Sequence, residues 1–462
     1  MPIDTPSSAY EADAKKRKLP RTLIGGTTAM IEAGEELTPR HASEELRTYD
    51  ARLRGTTLFN GYNDAVKKSV GKVFAKDVGI NADVPPVLAE YMLNVDGQGR
   101  NLTAFSLDVF REAMHDGISF IFVDFPIVER LDGTAPTLAD QQEIKARPNA
   151  MLYKAGQVID YKHVNDGGRE VLTEVRVKIE TIEQDPEDEY KEIPIKLIKL
   201  YKPGSVETFT SHGTGGDWIS DGGKLISLSF IPIVPVYTNR TGYFEGEPTH
   251  AALAELNLEH WISSSEQRRA LTFARFPMRV VSGVDADSNV TLGPDQVLTL
   301  PNPDAKASIL ETTGRGIEAG RLDLEAIENK MQHTGMSIQV QNTSGNVTAT
   351  AVNANSSEGN SALMAAAVAL NDSLNQMLQI FADYSKITEG GTVSVNNHFG
   401  RIPSKMSYED MVKMYDIGVL DEVMIWTEMK ARGDLRGDED LEDIAARLRE
   451  KTPLLRGTPR EL

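Results

Sequence analysis

Apolar positions in the first half of the chain change from a helical spacing to the spacing of strands. The stretch "NLTAFSLDVFREAMHDG" places Phe105, Val109 and Met114 on one helical face, and the run "ISFIFVDFP" that follows is β-branched and aromatic up to Pro126. Residues 150–235 contain alternating runs such as "EVRVKIETI" and "IKLIKLYKP", separated by turn clusters. This pattern predicts a helix followed by a strand-rich region, with the acidic "EQDPEDEYKE" at a solvated hairpin tip rather than at a metal site.

Apolar residues in the second half recur three and four positions apart, which predicts three long amphipathic helices. The first two, at 249–273 and 317–340, enclose a β-rich insert dense in Pro, Gly and Asp, and the third follows residue 358. Three short amphipathic helices are expected after residue 404. The apolar stripes of the long helices are Leu253, Leu256 and Trp261 in the first, Leu324, Ile327, Met331, Thr334 and Ile338 in the second, and Leu363, Ala367, Leu370, Leu374, Met377 and Phe381 in the third.

Two stretches look loosely structured from their composition. Residues 1–40 are mostly small or charged and include the basic run Lys15–Lys18. This composition predicts a mobile arm with a solvated surface. The stretch "NTSGNVTATAVNANSSEGNS", residues 342–361, lies between two long helices, has no aromatic residue and carries one charge. Its composition is typical of a flexible linker.

Composition narrows the classes of function. The chain has 462 residues, enough for several cores, and no cysteine, which excludes disulfides, thiolate metal sites and cysteine nucleophiles. Its formal net charge of -19 argues against a protein that wraps duplex DNA in lysine and arginine. We expect no signal peptide, because the first residues lack its apolar core, and no membrane span, because no run approaches about 20 apolar residues.

Motifs for catalysis are missing from the sequence. Gly223-Lys224 fails as a phosphate-binding loop, since Trp218 takes the position of its first glycine and Leu225 follows the lysine. The eight histidines show no paired-ligand spacing, so we predict no metal and no cofactor. The acid-x-lysine triplets at Glu189 and Asp304 keep a metal-dependent nuclease as an alternative, although such triplets are common by chance.

Four stretches, in this order, resemble the portal proteins of tailed bacteriophages, in a subgroup long catalogued as a domain of unknown function. They are "FREAMHDGISFIFVDFP", "IPIVPVYTNRTG" leading into "LAELNLEHWISSSEQRRALTFARFP", "ATAVNANSSEGNSALMAAAVALNDSLNQMLQIFADY" with "GGTVSVNNHFG", and "MYDIGVLDEVMIWTEMKARGDL". Together they span about residues 101–436. The first hundred residues and the last twenty-five or so carry little of the likeness.

The resemblance implies an α+β portal fold with an α/β wing, a two-helix stem, a small α/β clip, a long helix and a helical crown. Carried onto this chain, it divides the sequence into a flexible arm at 1–40, the wing at 41–248, the first stem helix at 249–273, the clip at 274–314, the second stem helix at 315–341, the tunnel loop at 342–357, the long helix and return strand at 358–403 and the crown with its tail at 404–462.

Function, on this resemblance, is mechanical: a dodecameric ring at one capsid vertex through which double-stranded DNA is packaged and ejected, with no catalysis by the ring. The implied partners are copies of the chain, the large terminase subunit, the major capsid and scaffolding proteins, and head-completion, adaptor and tail proteins, in the virion and, during assembly, in the host cytoplasm. A capsid or adaptor subunit without a DNA channel is the other alternative.

The resemblance also suggests site residues. Arg268, Arg269 and Lys330 would line the stem channel or pair between subunits. The tunnel loop would present to DNA the residues Asn342, Thr343, Ser344, Asn346, Thr348, Thr350, Asn353 and Asn355, and the clip would dock terminase or adaptor through Arg279, Asp285, Asp287 and Asp295.

Overall fold

Helices and antiparallel strands both build the protein, which confirms the predicted α+β class. The chain forms two compact units, Met1–Asn397 and His398–Leu462. The computed structural model describes residues 2–126, 146–185, 188–212, 217–275, 278–282, 306–310, 314–336, 349–397, 407–417, 419, 424–426 and 429.

Six helices form in the first part of the larger unit, several of them with side-chain caps. The Ser7 hydroxyl accepts from the backbone N–H of Tyr10 at 3.2 Å, and the Asn101 side chain accepts from that of Ala104 at 2.9 Å, as N-cap residues do. Gly117, with φ of 81°, ends the sixth helix in the left-handed conformation. The helices are α1 (Ser8–Ile24), α2 (Gly26–Ala33), α3 (Leu46–Arg54), α4 (Gly61–Val73), α5 (Pro86–Tyr91) and α6 (Leu102–Asp116).

The expectation of a mobile arm at residues 1–40 is wrong. Helices α1 and α2 occupy most of it, and Leu23 and Met30 have no exposed surface. The Arg21 guanidinium, on α1, donates to Glu112 at 2.7 Å and to Asp116 on α6. The many charged residues in this segment made the packing hard to predict from sequence. The long side chains of the basic run remain near solvent, while a narrow apolar stripe is buried.

Two antiparallel sheets follow and share one core. A three-stranded sheet has the order β3-β2-β9, and a five-stranded sheet has the order β4-β5-β6-β7-β8. Their aromatic residues meet, with ring centroids 4.3 Å apart for Phe122 and Tyr201. The strands are β1 (Gly79–Ile80), β2 (Ile118–Asp124), β3 (Asn149–Lys154), β4 (Val158–Asp166), β5 (Arg169–Asp185), β6 (Asp188–Lys202), β7 (Ser205–His212), β8 (Ile219–Leu225), β9 (Ile233–Tyr237), β10 (Arg240–Gly242) and β11 (Glu245–Gly246).

The acidic insert stands at a hairpin tip, as predicted. Strands β5 and β6 pair along their length up to Asp185 opposite Asp188. The run "ISFIFVDFP" is β2, whose residues from Ile118 to Val123 are all buried, because one neighbouring strand pairs on each side and α6 packs against it. An almost continuous apolar run is what a central strand covered on both faces requires.

The remaining elements follow the predicted order. Two helices, α7 (Ala251–Arg275) and α8 (Arg315–Met336), enclose the strands β12 (Met278–Ser282) and β13 (Lys306–Leu310), which pair with each other. A long helix, α9 (Ala349–Ser385), comes next, and β14 (Val393–Ser394) then pairs with β1. In the smaller unit, α10 (Tyr408–Asp416) matches the first of the three short helices, and the other two fall mostly outside the described residues.

The predicted apolar stripes are buried or half-buried wherever their side chains are described. In α9 all six stripe residues, from Leu363 to Phe381, are buried. In α7 and α8 the buried members are Leu253, Trp261, Ile327 and Met331, and the rest are half-buried except Ile338, which lies outside the described residues.

Candidate functional site

Helices α7 and α8 run antiparallel in contact, joined by polar side chains along their length. His260 Nε2 lies 3.1 Å from Glu328 Oε1, and the Ser263 hydroxyl donates to Asp323 at 2.6 Å. Nearer the β12–β13 end, the Gln267 amide donates to the backbone carbonyl of Ile317 at 2.8 Å. These contacts fix the register of the pair, which carries its two-stranded sheet at one end.

The other side of α7 is anchored to the helical region near the N-terminus. The buried Asn257 side chain accepts from the backbone N–H of Tyr62 at 2.9 Å and donates to the carbonyl of Phe59 at 2.8 Å. One turn further, Trp261 Nε1 donates to Thr38 Oγ1 at 2.9 Å. These buried hydrogen bonds hold α7 in one rotation about its axis.

A buried ion cluster completes the anchor and accounts for Arg269. Glu44 accepts from Arg52 through both carboxylate oxygens at 3.0 Å and from Arg269 at 2.7 Å. Arg52 also donates to the Ser265 hydroxyl at 2.7 Å. The hydrogen bonds from Arg52 lower the pKa of Glu44. Arg269 was predicted to line a channel or bridge subunits, but this bond uses it within the chain.

The other two predicted stem residues are exposed. Arg268 and Lys330 face solvent, and neither has an acidic partner among the residues that the structure describes. Both therefore remain available for a contact outside this chain.

Part of the stretch predicted as a tunnel loop, residues 342–357, is helical. Helix α9 begins at Ala349, so Thr350, Asn353 and Asn355 belong to its first turns. Alanines at 349, 351 and 354 favour the helix, and the asparagines and serines between them lower that tendency only modestly. Five predicted loop residues lie outside the described residues: Asn342, Thr343, Ser344, Asn346 and Thr348.

The predicted clip residues are only partly described. Arg279 lies in β12, where its backbone pairs with Ile309 of β13. Asp285, Asp287 and Asp295 lie outside the described residues.

The described residues do not form a metal site of the kind that the nuclease alternative requires. Glu189 lies in β6 and Asp304 falls outside the described residues. Within the described ranges, no three His, Asp or Glu side chains come together in a way that could hold a metal ion. None of the described helices is both long and apolar enough to cross a membrane.

A buried polar junction lies between the end of α6 and the start of α7, and no sequence pattern predicts it. His115, at the end of α6, places Nδ1 3.3 Å from the Tyr62 hydroxyl, and burial lowers its pKa to about 3. Burial lowers the pKa of His250, just before α7, to about 4. Burial also raises the pKa of Asp116, opposed by its Arg21 partner. Lone histidines have no recognisable spacing, so only the fold reveals this cluster.

Comparison with known proteins gives one family and distant structures. Residues 251–385, which run from α7 to the end of α9, match the family described as "Domain of unknown function (DUF4055)". No curated protein matches the chain. A chain from the neck of an empty GTA particle computed with C6 symmetry is 11% identical over 87% of this chain and 97% of its own, with a TM-score of 0.42. A chain from the neck of a native GTA particle computed with C12 symmetry is also 11% identical, over 88% of this chain and 98% of its own, with a TM-score of 0.40. Likeness at this level does not define a shared function.

Proposed function

We propose that this chain is the subunit of a portal ring, which occupies one vertex of a phage-type capsid and lets double-stranded DNA pass through its centre. One observation carries the proposal: two antiparallel helices, α7 and α8, enclose the β12–β13 sheet and lead into the long helix α9. This order of elements agrees with the stem, clip and long helix that the sequence resemblance implies, and it supports the proposal.

Anchoring of the helix pair supports a mechanical role. Matched hydrogen bonds from Asn257 and Trp261, with the Glu44 ion cluster, fix α7 to the N-terminal helices. A stem that must keep a channel open under load needs such a fixed base. The far end of the pair carries a small separate sheet, β12–β13, which suits a docking module.

The charge of the chain suits passage of DNA rather than storage on the protein. A chain with a net charge of -19 attracts DNA phosphates only weakly, so a duplex can slide past it without being bound. We infer that the neutral residues 342–355 form a collar around the channel, and those from Ala349 onward belong to the first turns of α9.

We infer a dodecamer, with the large terminase subunit and later adaptor and tail proteins docking at β12–β13 and its connection. Capsid and scaffolding proteins would surround the wing region. The ring itself would hydrolyse nothing, since ATP would be consumed by the terminase.

Electron microscopy of the purified full-length chain, over a range of concentrations and salt, tests the proposal. We expect rings with a central hole wide enough for a duplex, about 20 Å or more, and no DNA cleavage with Mg²⁺ or Mn²⁺. A closed shell, or a chain that forms no ring under any condition including the presence of its capsid and scaffolding proteins, would overturn it. Metal-dependent cleavage lost in Glu189→Ala would favour the nuclease instead.

A further inference from the structure

Helix α7 carries opposite charges on opposite sides. Successive helical residues turn by about 100°, which places Glu255, Glu259 and Glu266 within about 40° of one another and Arg268 and Arg275 within about 20°. The two groups then lie about 170° apart around the helix axis. All five side chains are exposed. We call the first group the acidic face and the second the arginine face.

These charges are largely unused within the chain. Among the described residues, Glu255, Glu259, Arg268 and Arg275 form no ion pair. Glu266 lies 3.3 Å from His41, a contact in which the side chains are 49% and 57% exposed. Such an exposed pair contributes little to stability. Five exposed charges sorted by sign on a single helix need an explanation outside the protomer.

We propose that the acidic face of α7 in one copy binds the arginine face of α7 in the next copy, around a ring. This inference rests on the proposed function, since a ring places one side of each subunit against the opposite side of its neighbour. Such a heterologous contact requires two different, complementary surfaces, unlike a twofold dimer. The two faces of α7 are complementary in this sense.

The register of the contact follows from rotation symmetry. Subunits related by a rotation have no shift along the ring axis, so residues at one level of the stem meet residues at the same level. Glu266 and Arg268 are two residues apart, about 3 Å along the helix, but point to opposite sides. The central pair is therefore Glu266 of one copy with Arg268 of the next.

Duplex DNA is a poorer occupant for these faces. A channel lining of Glu255, Glu259 and Glu266 would repel phosphates, and the arginines lie on the opposite side of the same helix. A neighbouring copy uses both faces at once.

Charge reversal with rescue by mixing tests the contact. We expect Glu266→Arg and Arg268→Glu each to raise the concentration for half-assembly about tenfold or more, because every interface then pairs like charges. An equal mixture of the two variants restores rings, since alternating copies recover an opposite pair at each interface, and the double variant restores them alone. Lys67→Glu, a reversal at an exposed site of α4, is the matched control and assembles like the wild type.

Substitutions that only remove a charge distinguish a lost contact between subunits from misfolding of the subunit. Glu266→Gln and Arg268→Gln should keep the thermal melt of the wild type while reducing the salt dependence of assembly. Rings from both reversals at wild-type concentrations, or no rescue on mixing folded variants, would overturn the interface and leave the portal proposal standing. Absence of rings from the wild type under every condition overturns the portal proposal and this contact with it.

Discussion

Trp261 Nε1 donates a hydrogen bond to Thr38 Oγ1 at 2.9 Å, and both residues are fully buried. The bond joins the middle of α7 to a segment more than two hundred residues earlier in the chain. It is one of three polar attachments that fix α7, together with Asn257 and the Glu44 cluster.

Thr38→Val removes the hydroxyl and keeps the shape of the side chain. We expect the free energy of unfolding to fall by about 1–3 kcal/mol, because the buried indole N–H is left without an acceptor. Urea denaturation measures the change. The control is Thr272→Val, at an exposed site on α7, the helix of Trp261. It should alter the free energy of unfolding by less than about 0.5 kcal/mol. Equal effects of the two changes would show that the bond to Trp261 contributes nothing.

Glu44→Gln leaves Arg52 and Arg269 together without a carboxylate. We expect a loss of about 3–5 kcal/mol in the free energy of unfolding, since breaking a buried pair leaves an uncompensated charge. Glu45→Gln, the exposed neighbour, is the control and should be close to neutral. Thermal or urea denaturation distinguishes them, and a neutral Glu44→Gln would mean that water reaches the cluster.

The buried histidines make stability depend on pH. His250 has its pKa lowered to about 4 in the folded protein, against about 6.5 when unfolded, so the unfolded chain binds the extra proton in that window. Its contribution is present above about pH 6.5 and is lost as pH falls towards 4. We expect His250→Gln to reduce the slope of unfolding free energy against pH by up to about 1.4 kcal/mol per pH unit between these values.

Urea denaturation at pH 5 and pH 7 measures that slope. His333→Gln, which changes an exposed histidine of α8, is the control for replacing a histidine by glutamine elsewhere in the chain. An unchanged slope in the His250 variant would indicate that His250 takes up its proton without unfolding.

Gly117 and Gly246 let two segments cross in contact. A Cβ on Gly117 would lie 2.1 Å from the carbonyl oxygen of Glu247, and φ of 81° disfavours any other residue. We expect Gly117→Ala to destabilise the protein by more than about 2 kcal/mol. Gly71→Ala, on the exposed surface of α4 with open space around it, should instead stabilise by up to about 1 kcal/mol. Comparable melting temperatures for the two variants would contradict the crossing.

Positive charge in the proposed collar should slow DNA. Asn353→Lys combined with Asn355→Lys adds two charges per subunit in the first turns of α9. In a packaging assay we expect slower translocation at low salt and recovery as salt rises, because phosphate attraction is screened. The matched change Asn353→Gln with Asn355→Gln should package normally. Equal rates for the Lys and Gln pairs would place these residues away from DNA.

Local periodicity predicted most of the elements. The stripes of α9 and the continuous apolar run of β2 were recognised because burial on one helical face, or on both faces of a strand, leaves a pattern in neighbouring residues. The start of α9 was misplaced, since Asn and Ser weaken a helix without preventing it. Helices α1 and α2 were missed as packed elements because their apolar stripe is narrow within a charged sequence.

Contacts between distant residues could not be predicted. Glu44 looks like any solvated acid, and nothing near it signals that Arg52 and Arg269 will surround it. Arg269 and Arg268 are adjacent in sequence and equivalent in composition. The fold separates them, since one bonds Glu44 and the other faces solvent.

The Glu44 cluster also implies an order of folding. Ser265, which Arg52 contacts, lies 213 residues further along the chain, and Arg269 lies 225 residues after Glu44. At about 5–20 residues per second, synthesis leaves roughly 10–40 s between the two halves of the cluster. During that interval Glu44 and Arg52 can pair with each other, but α7 has not yet been made. The two sheets, which lie between Arg52 and α7 in the sequence, can form first. During synthesis, the attachment of the helix pair therefore comes after the residues of its base have been made.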